Sequence, residues 1–318
     1  MRQYTGATAM AFVVGTMVGT GIYLKPAQVA RMAPELWQNL LIWVAGGLFA
    51  LCGALVYARL SEVWPHSGGA FVYLRRCYGE WVASLLLAAD VLLARPAAVG
   101  ALATGLGLIW DLTFQQTIGV ALLTLLGLTA GQLLGRKMTG GMQVALTLLQ
   151  MVPLLVIGGA GVAMSSLPEL PQPPQPVLWA SGFLAVLWAY DGWYNVTILG
   201  GEVERPEVNL RRALVGGVTL VTLCYVALNA LLLAKVPRSE IVAQGVPFAA
   251  LLAGWEAARL GALLKVGLSL ALLGTLNGTL ACGPSMLAAG GLGDTSSPAQ
   301  RRRALLTFSG WCLALLLI

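Results

Sequence analysis

The chain has 318 residues, 58% of them hydrophobic and only 10% charged, and its mean hydropathy is +0.80. A soluble protein of this length needs far more charge to cover its surface, which excludes a water-soluble enzyme or binding module. The net charge of +6 sits in loops between apolar runs, the pattern of positive-inside loops and not of a nucleic-acid surface.

A membrane-spanning helix needs about 20 mostly apolar residues. The first such run is Gly6–Met32, and it contains the stretch GTMVGTGIY, Gly15–Tyr23. Glycine disfavours helix by about 1 kcal/mol relative to alanine, so this span is expected to break. Gly15 and Gly19 also form a G-x-x-x-G pair, which on its own reads equally well as close helix packing. Asn39–Val63 follows. The third run, Trp81–Trp110, carries Asp90 and Arg95. Five residues place them about 140° apart on an α-helix, so an ion pair between them requires the arginine to reach round, and partners on other spans are an equal alternative. Thr117–Leu134 and Gly141–Met164 complete a first set of five.

A proline-rich stretch, Ser165–Pro176, is expected to be an extended connector. The sixth run, Val177–Gly200, holds Asp191 and Gly192 at mid-depth among Trp188, Tyr190, Trp193 and Tyr194. A carboxylate there costs roughly 2.5–3.5 kcal/mol unless it is paired or faces water. Glu202 and Glu204, just beyond it, are read as a solvated loop more readily than as an ion-pair gate. Ala213–Ala234, Leu260–Leu287 and Ala304–Ile318 bring the total to nine, with Pro237–Gly261 expected to be an outer loop carrying short helices. The last run is fifteen residues long, and a free carboxylate at depth is costly; the chain is expected to be cut there. With the N-terminus in the cytoplasm, twelve Lys and Arg fall in inner loops against six in outer loops and span ends, which favours that orientation.

Two interruptions five spans apart are a sequence pointer to a transporter's binding site. Irregular backbone at depth is tolerated where it lines a cavity. A half-helix N-terminus offers free N–H groups and a positive dipole to a carboxylate, while half-helix C-termini offer carbonyls to an ammonium. One site with both features selects a zwitterion. No nucleophile–base pairing, metal-ligand spacing or phosphate loop occurs, His66 is the only histidine, and the five cysteines are scattered singly. No catalytic activity, metal or cofactor is therefore expected.

Five stretches in order carry a resemblance: VGTMVGTGIY, PHSGGAFVYLRRCYG, WAYDGWYNV, GEVERPEVNLRRA and GTLNGTLACGP. Together they resemble the amino acid–polyamine–organocation (APC) transporter superfamily, most closely its L-type amino acid transporter-like branch. The resemblance implies an all-α polytopic membrane protein with a LeuT-like inverted-repeat fold and discontinuous helices 1 and 6. Residues 1–165 would form the first repeat and 166–318 an incomplete second one. It implies a multi-pass plasma-membrane carrier that moves L-amino acids by alternating access, as a permease or an exchanger coupled to protons or counter-substrate. An incomplete or non-transporting subunit, or a ligand sensor, is the alternative. By matching positions, Gly19, Thr20, Gly21 and Ile22 would bind the substrate carboxylate. Trp188, Ala189 and Asp191 would frame the amine and side chain, with Trp188 as an aromatic gate, and Asn277 would face the core. A lysine that many members carry in place of an ion matches Gln150, a neutral amide.

Overall fold

A computed structural model describes residues 3–166, 176–252, 257–291 and 297–317. Most of the proline-rich connector lies outside these residues. All nine expected segments are helical. The first is two helices, α1 (Gly6–Met17) and α2 (Gly21–Met32), bent by 44° at the break between them. The second is α3 (Leu36–Val63), followed by the short α4 (Ala70–Tyr78). The third comprises α5 (Glu80–Ala89), a π-turn at Asp90–Ala94, and α6 (Arg95–Ile109). Next come α7 (Phe114–Leu133) and α8 (Arg136–Ala163).

The sixth segment is α9 (Trp179–Ala189), a turn, and the four-residue α10 (Asn195–Ile198). Then follow α11 (Pro206–Lys235), α12 (Arg238–Ala243), α13 (Ala257–Ala289) and α14 (Pro298–Leu316). Among the described residues, six helical stretches are long and apolar enough to cross a membrane, or seven with the bent pair counted as one. The sixth segment falls short of that length because its break divides it. The ninth starts two turns earlier than expected, on a first turn that includes Arg301, and this lowers its hydropathy. The stretch after α11 holds α12 and a 3-10 turn, Pro247–Leu252, in agreement with the short helices expected there.

Local signals start these helices where caps are available. The Thr5 hydroxyl accepts from the Thr8 N–H, Thr113 and Gln116 form a reciprocal capping box, and the Ser297 hydroxyl accepts from the Gln300 N–H. Packing is arranged as lipid demands. Large apolar side chains such as Leu123, Leu155 and Leu223 point outward, while Gln132, Gln143, Gln150, Asn229 and Asn277 are buried inside. An amide facing hydrocarbon would lose its hydrogen bonds, so polar side chains turn toward protein. The broken α1 sits centrally, packed against α8, α10, α11 and α13. Its glycines serve this packing unequally. A Cβ on Gly15 would overlap Gln143 and Thr147 of α8, whereas one on Gly19 would meet only the Thr275 hydroxyl, at 3.5 Å.

Candidate functional site

The two breaks face each other. The chain turns sharply between α9 and α10 at Gly192, whose φ is +102°. A Cβ there would lie 2.6 Å from the Thr16 carbonyl oxygen, and one on Gly21 would lie 2.7 Å from Ala189 Cα. Glycine is therefore required at both points of approach. The Thr16 hydroxyl donates to the Gly192 carbonyl at 2.9 Å and to the Phe12 carbonyl at 2.6 Å, tying one break to the other. The Tyr225 hydroxyl donates to the Met17 carbonyl at 3.0 Å, satisfying one of the acceptors exposed where α1 ends.

Beside the breaks lies a cavity of about 560 Å³, within the usual size range of small-ligand sites. Gly19, Thr20 and Gly21 form one wall, and Trp188, Asp191 and Tyr194 another. Thr20 is the N-cap of α2, yet no side chain caps that helix. The first N–H groups of α2 are thus left for a ligand, and the helix dipole is positive at that end. Asp191 is exposed to the cavity. Trp188 is 69% exposed at the mouth, with the Lys25 ammonium 5.7 Å from its ring centroid.

The remaining expected site residues stand behind the cavity. Ile22 and Ala189 have buried side chains in the core. Asn277 is fully buried in an amide network. It donates to Gln143 Oε1 at 2.8 Å, and its Oδ1 accepts from Gln132 Nε2 at 2.9 Å. Gln150 is also fully buried, and neither its Nε2 nor its Oε1 has a partner among the described residues. Of the aromatic group around Asp191, Trp188 and Tyr194 line the cavity. Tyr190 turns into the core, where its hydroxyl donates to the Trp43 carbonyl at 3.1 Å. Trp193 packs edge-on against Tyr57 at 5.2 Å.

Two arrangements correct the reading from sequence. Asp90 and Arg95 are bonded at 2.9 Å without any long reach. The π-turn between them closes its ring one residue later than an α-turn, with the Arg95 N–H donating to the Asp90 carbonyl, and so brings residue i+5 over residue i. Arg95 Nη1 also donates to Asn195 Oδ1 at 3.1 Å, which couples α6 to the broken sixth segment. Both charged residues line the cavity, and neither was among the site candidates drawn from sequence.

The second correction concerns Glu202, which is 3% exposed and not solvated. Its carboxylate accepts from Arg136 Nε at 2.5 Å and from the Ser285 hydroxyl at 2.6 Å. Its carbonyl accepts from the N–H groups of Gln3 and Tyr4, and the Glu204 N–H donates to the Tyr4 carbonyl. Arg301 adds a bond to the Gln132 carbonyl at 3.1 Å. The end carrying the N-terminus is thus sealed by a polar network, and none of the residues in that network lines the cavity.

A family model described as amino acid permease matches residues 5–291. The chain belongs to this family. Among curated proteins it is similar to the serine/threonine exchanger SteT of Bacillus subtilis (strain 168), 30% identical over 280 residues, covering 85% of this chain and 64% of that protein. It is 26% identical over 266 residues to the human cystine/glutamate transporter, covering 76% of this chain and 51% of that one. The mouse b(0,+)-type amino acid transporter 1 matches at 26% over 238 residues, 70% of this chain and 49% of its own. The chain therefore spans about two thirds of the first relative's length and about half of the other two.

Among solved structures, a Na+-coupled sialic acid symporter in a substrate-bound, outward-open state superposes with a TM-score of 0.66 at 12% identity, covering 98% of this chain and 72% of that one. Mhp1, a nucleobase-cation-symport-1 family transporter in a closed conformation with bromovinylhydantoin bound, gives 0.62 at 13%, covering 99% and 72%. At these identities the likeness concerns the fold, which is the LeuT-like one. The permease family chain thus carries its two helix breaks on the scaffold that these symporters share.

Proposed function

We propose that the protein is a secondary carrier that moves L-amino acids across the plasma membrane by alternating access, as a permease or an exchanger. The observation that carries the reading is the uncapped start of α2 at Thr20 and Gly21, opposite Asp191 across one cavity. The substrate carboxylate lies on the N–H groups of Thr20, Gly21 and Ile22. The ammonium lies toward Asp191 and the carbonyls at the end of α9, and Trp188 folds over the occupied site. Ala189 acts through its backbone, and Asn277 acts at one remove by fixing Gln143 behind α1. Residues 1–165 are the first inverted repeat and 166–318 an incomplete second one, with the N-terminus cytoplasmic and the cavity open to the outside. Gln150 is neutral, so coupling by a charge at that place is not part of the mechanism. The gradient is supplied by counter-substrate or by protons taken up elsewhere.

The test is reconstitution of the purified chain into liposomes. Labelled L-amino acids should enter saturably, and faster into liposomes preloaded with unlabelled amino acid if the protein exchanges. No uptake above empty liposomes for any amino acid, together with no thermal shift on adding any of them, would overturn the proposal.

A further inference from the structure

The end of the molecule sealed by Glu202 carries a second hollow, a groove of about 630 Å³ between the Glu207–Gly216 face of α11 and Glu62, near the end of α3. Its charges are segregated. Glu207 and Arg212 are five residues apart, about 140° round an α-helix, so they stand at opposite edges of the groove with Arg211 between them. Glu62 lies on the α3 side of the groove, where it accepts from Arg211 Nη1 at 3.3 Å and from Arg59 Nη1 at 2.6 Å. Gly216 continues the Arg212 edge. Its missing side chain leaves room for Met10, whose Cε would lie 2.9 Å from a Cβ there. Glu207 and Arg212 are both exposed and have no ion pair or side-chain hydrogen bond with the described residues.

The groove lies at the level where charge gives way to hydrocarbon. The apolar run of α11 begins directly after Arg212. Exposed aliphatic side chains lead away from the groove on both helices, Leu55 (48%) and Val56 (58%) on α3, and Leu220 (54%) and Leu223 (64%) on α11. A ligand that places opposite charges across the groove and acyl chains along these rows is a phospholipid with a zwitterionic headgroup.

We propose that this groove is a binding site for phosphatidylethanolamine. The phosphate lies on Arg212 and the primary ammonium on Glu207, with the Arg211–Glu62 ion pair between them. A primary ammonium donates three hydrogen bonds to carboxylates, which a trimethylammonium cannot do. An anionic glycerol headgroup has no cation for the acidic edge. The aliphatic rows make the ligand a lipid and not a free phosphate ester. The site is independent of the transport reading, since none of its residues lines the cavity beside the helix breaks.

Native mass spectrometry of the purified chain with phosphatidylethanolamine, phosphatidylcholine and phosphatidylglycerol of identical acyl chains tests the proposal. The ethanolamine lipid should be retained about tenfold over the other two, roughly the discrimination of one to two charge-assisted hydrogen bonds. Glu207→Gln should lower it to the level of the choline lipid, and Arg212→Gln should release both. These side chains are exposed, and an unchanged melting temperature confirms that each variant folds. Equal retention of all three lipids, or an ethanolamine preference that survives Glu207→Gln, overturns the proposal. So does displacement by soluble glycerophosphoethanolamine, which would make the headgroup alone sufficient.

Discussion

At the scale of single residues, the glycines of the two breaks separate into distinct roles, and substitutions should separate with them. Gly192 combines a left-handed φ of +102° with the Thr16 carbonyl at its back. Gly192→Ala should lower stability by about 2 kcal/mol or more, the combined scale of backbone strain and a backbone clash, read as a depressed melting temperature. Gly21→Val should fail likewise, because the added atoms would push α2 off Ala189. Gly19→Ala is the informative contrast. Its new methyl meets only the Thr275 hydroxyl at ordinary contact distance, so stability should stay within about 0.5 kcal/mol. The methyl nonetheless narrows the cavity, and the KM for amino acid uptake should rise. Gln150 gives the opposite sign. Both its amide atoms are buried without a partner among the described residues, and a buried unsatisfied polar group costs about 1–3 kcal/mol. Gln150→Met, close in shape, should raise the melting temperature.

At the scale of elements, the breaks and the π-turn show what periodicity can and cannot convey. The interruption of the first and sixth segments was legible because glycine and a mid-span carboxylate conflict with a continuous helix in lipid. The placement of Gly19, Thr20, Gly21, Trp188 and Asp191 around one cavity followed from that conflict. The π-turn at Asp90–Ala94 was not legible, since an ideal 3.6-residue period puts Asp90 and Arg95 apart. The only signal was the cost of two charges inside an apolar run, which asks for a pair without saying how the backbone makes it. Glu202 was misread for a related reason. Its carboxylate finds Arg136 and Ser285 on α8 and α13, partners distant in sequence, so local composition made it look solvated. These contacts imply a latch across the sealed end. Glu202→Gln keeps the shape but removes the charge that Arg136 answers, and loss of one partner of a buried pair is strongly destabilising. Cys282, fully buried on α13, provides the readout. With the other four cysteines replaced by serine, maleimide labelling of Cys282 should be slow in the parent and several-fold faster with Glu202→Gln. Equal rates would mean that the latch does not hold this end closed.

At the scale of the whole molecule, the asymmetry between an open cavity and a sealed end defines a direction. The two broken segments are held by α3, α8, α11 and α13. A carrier of this design must expose its site to one side at a time, because a continuous path would dissipate the gradient that drives it. The side that is open in this structure can be read from labelling. Ala98 lines the cavity and is exposed to it, so Ala98→Cys in a background without other cysteines places a thiol inside the proposed transport path. In the proposed orientation, the Lys- and Arg-rich loops at the sealed end face the cytoplasm and the cavity faces outward. A membrane-impermeant thiol reagent added to intact cells should then modify Ala98→Cys, and a saturating transported amino acid should slow the reaction by occupying the site. Modification that requires permeabilised cells would reverse the orientation. Modification from outside that no amino acid slows would leave the cavity open to water but would separate it from the proposed substrate site.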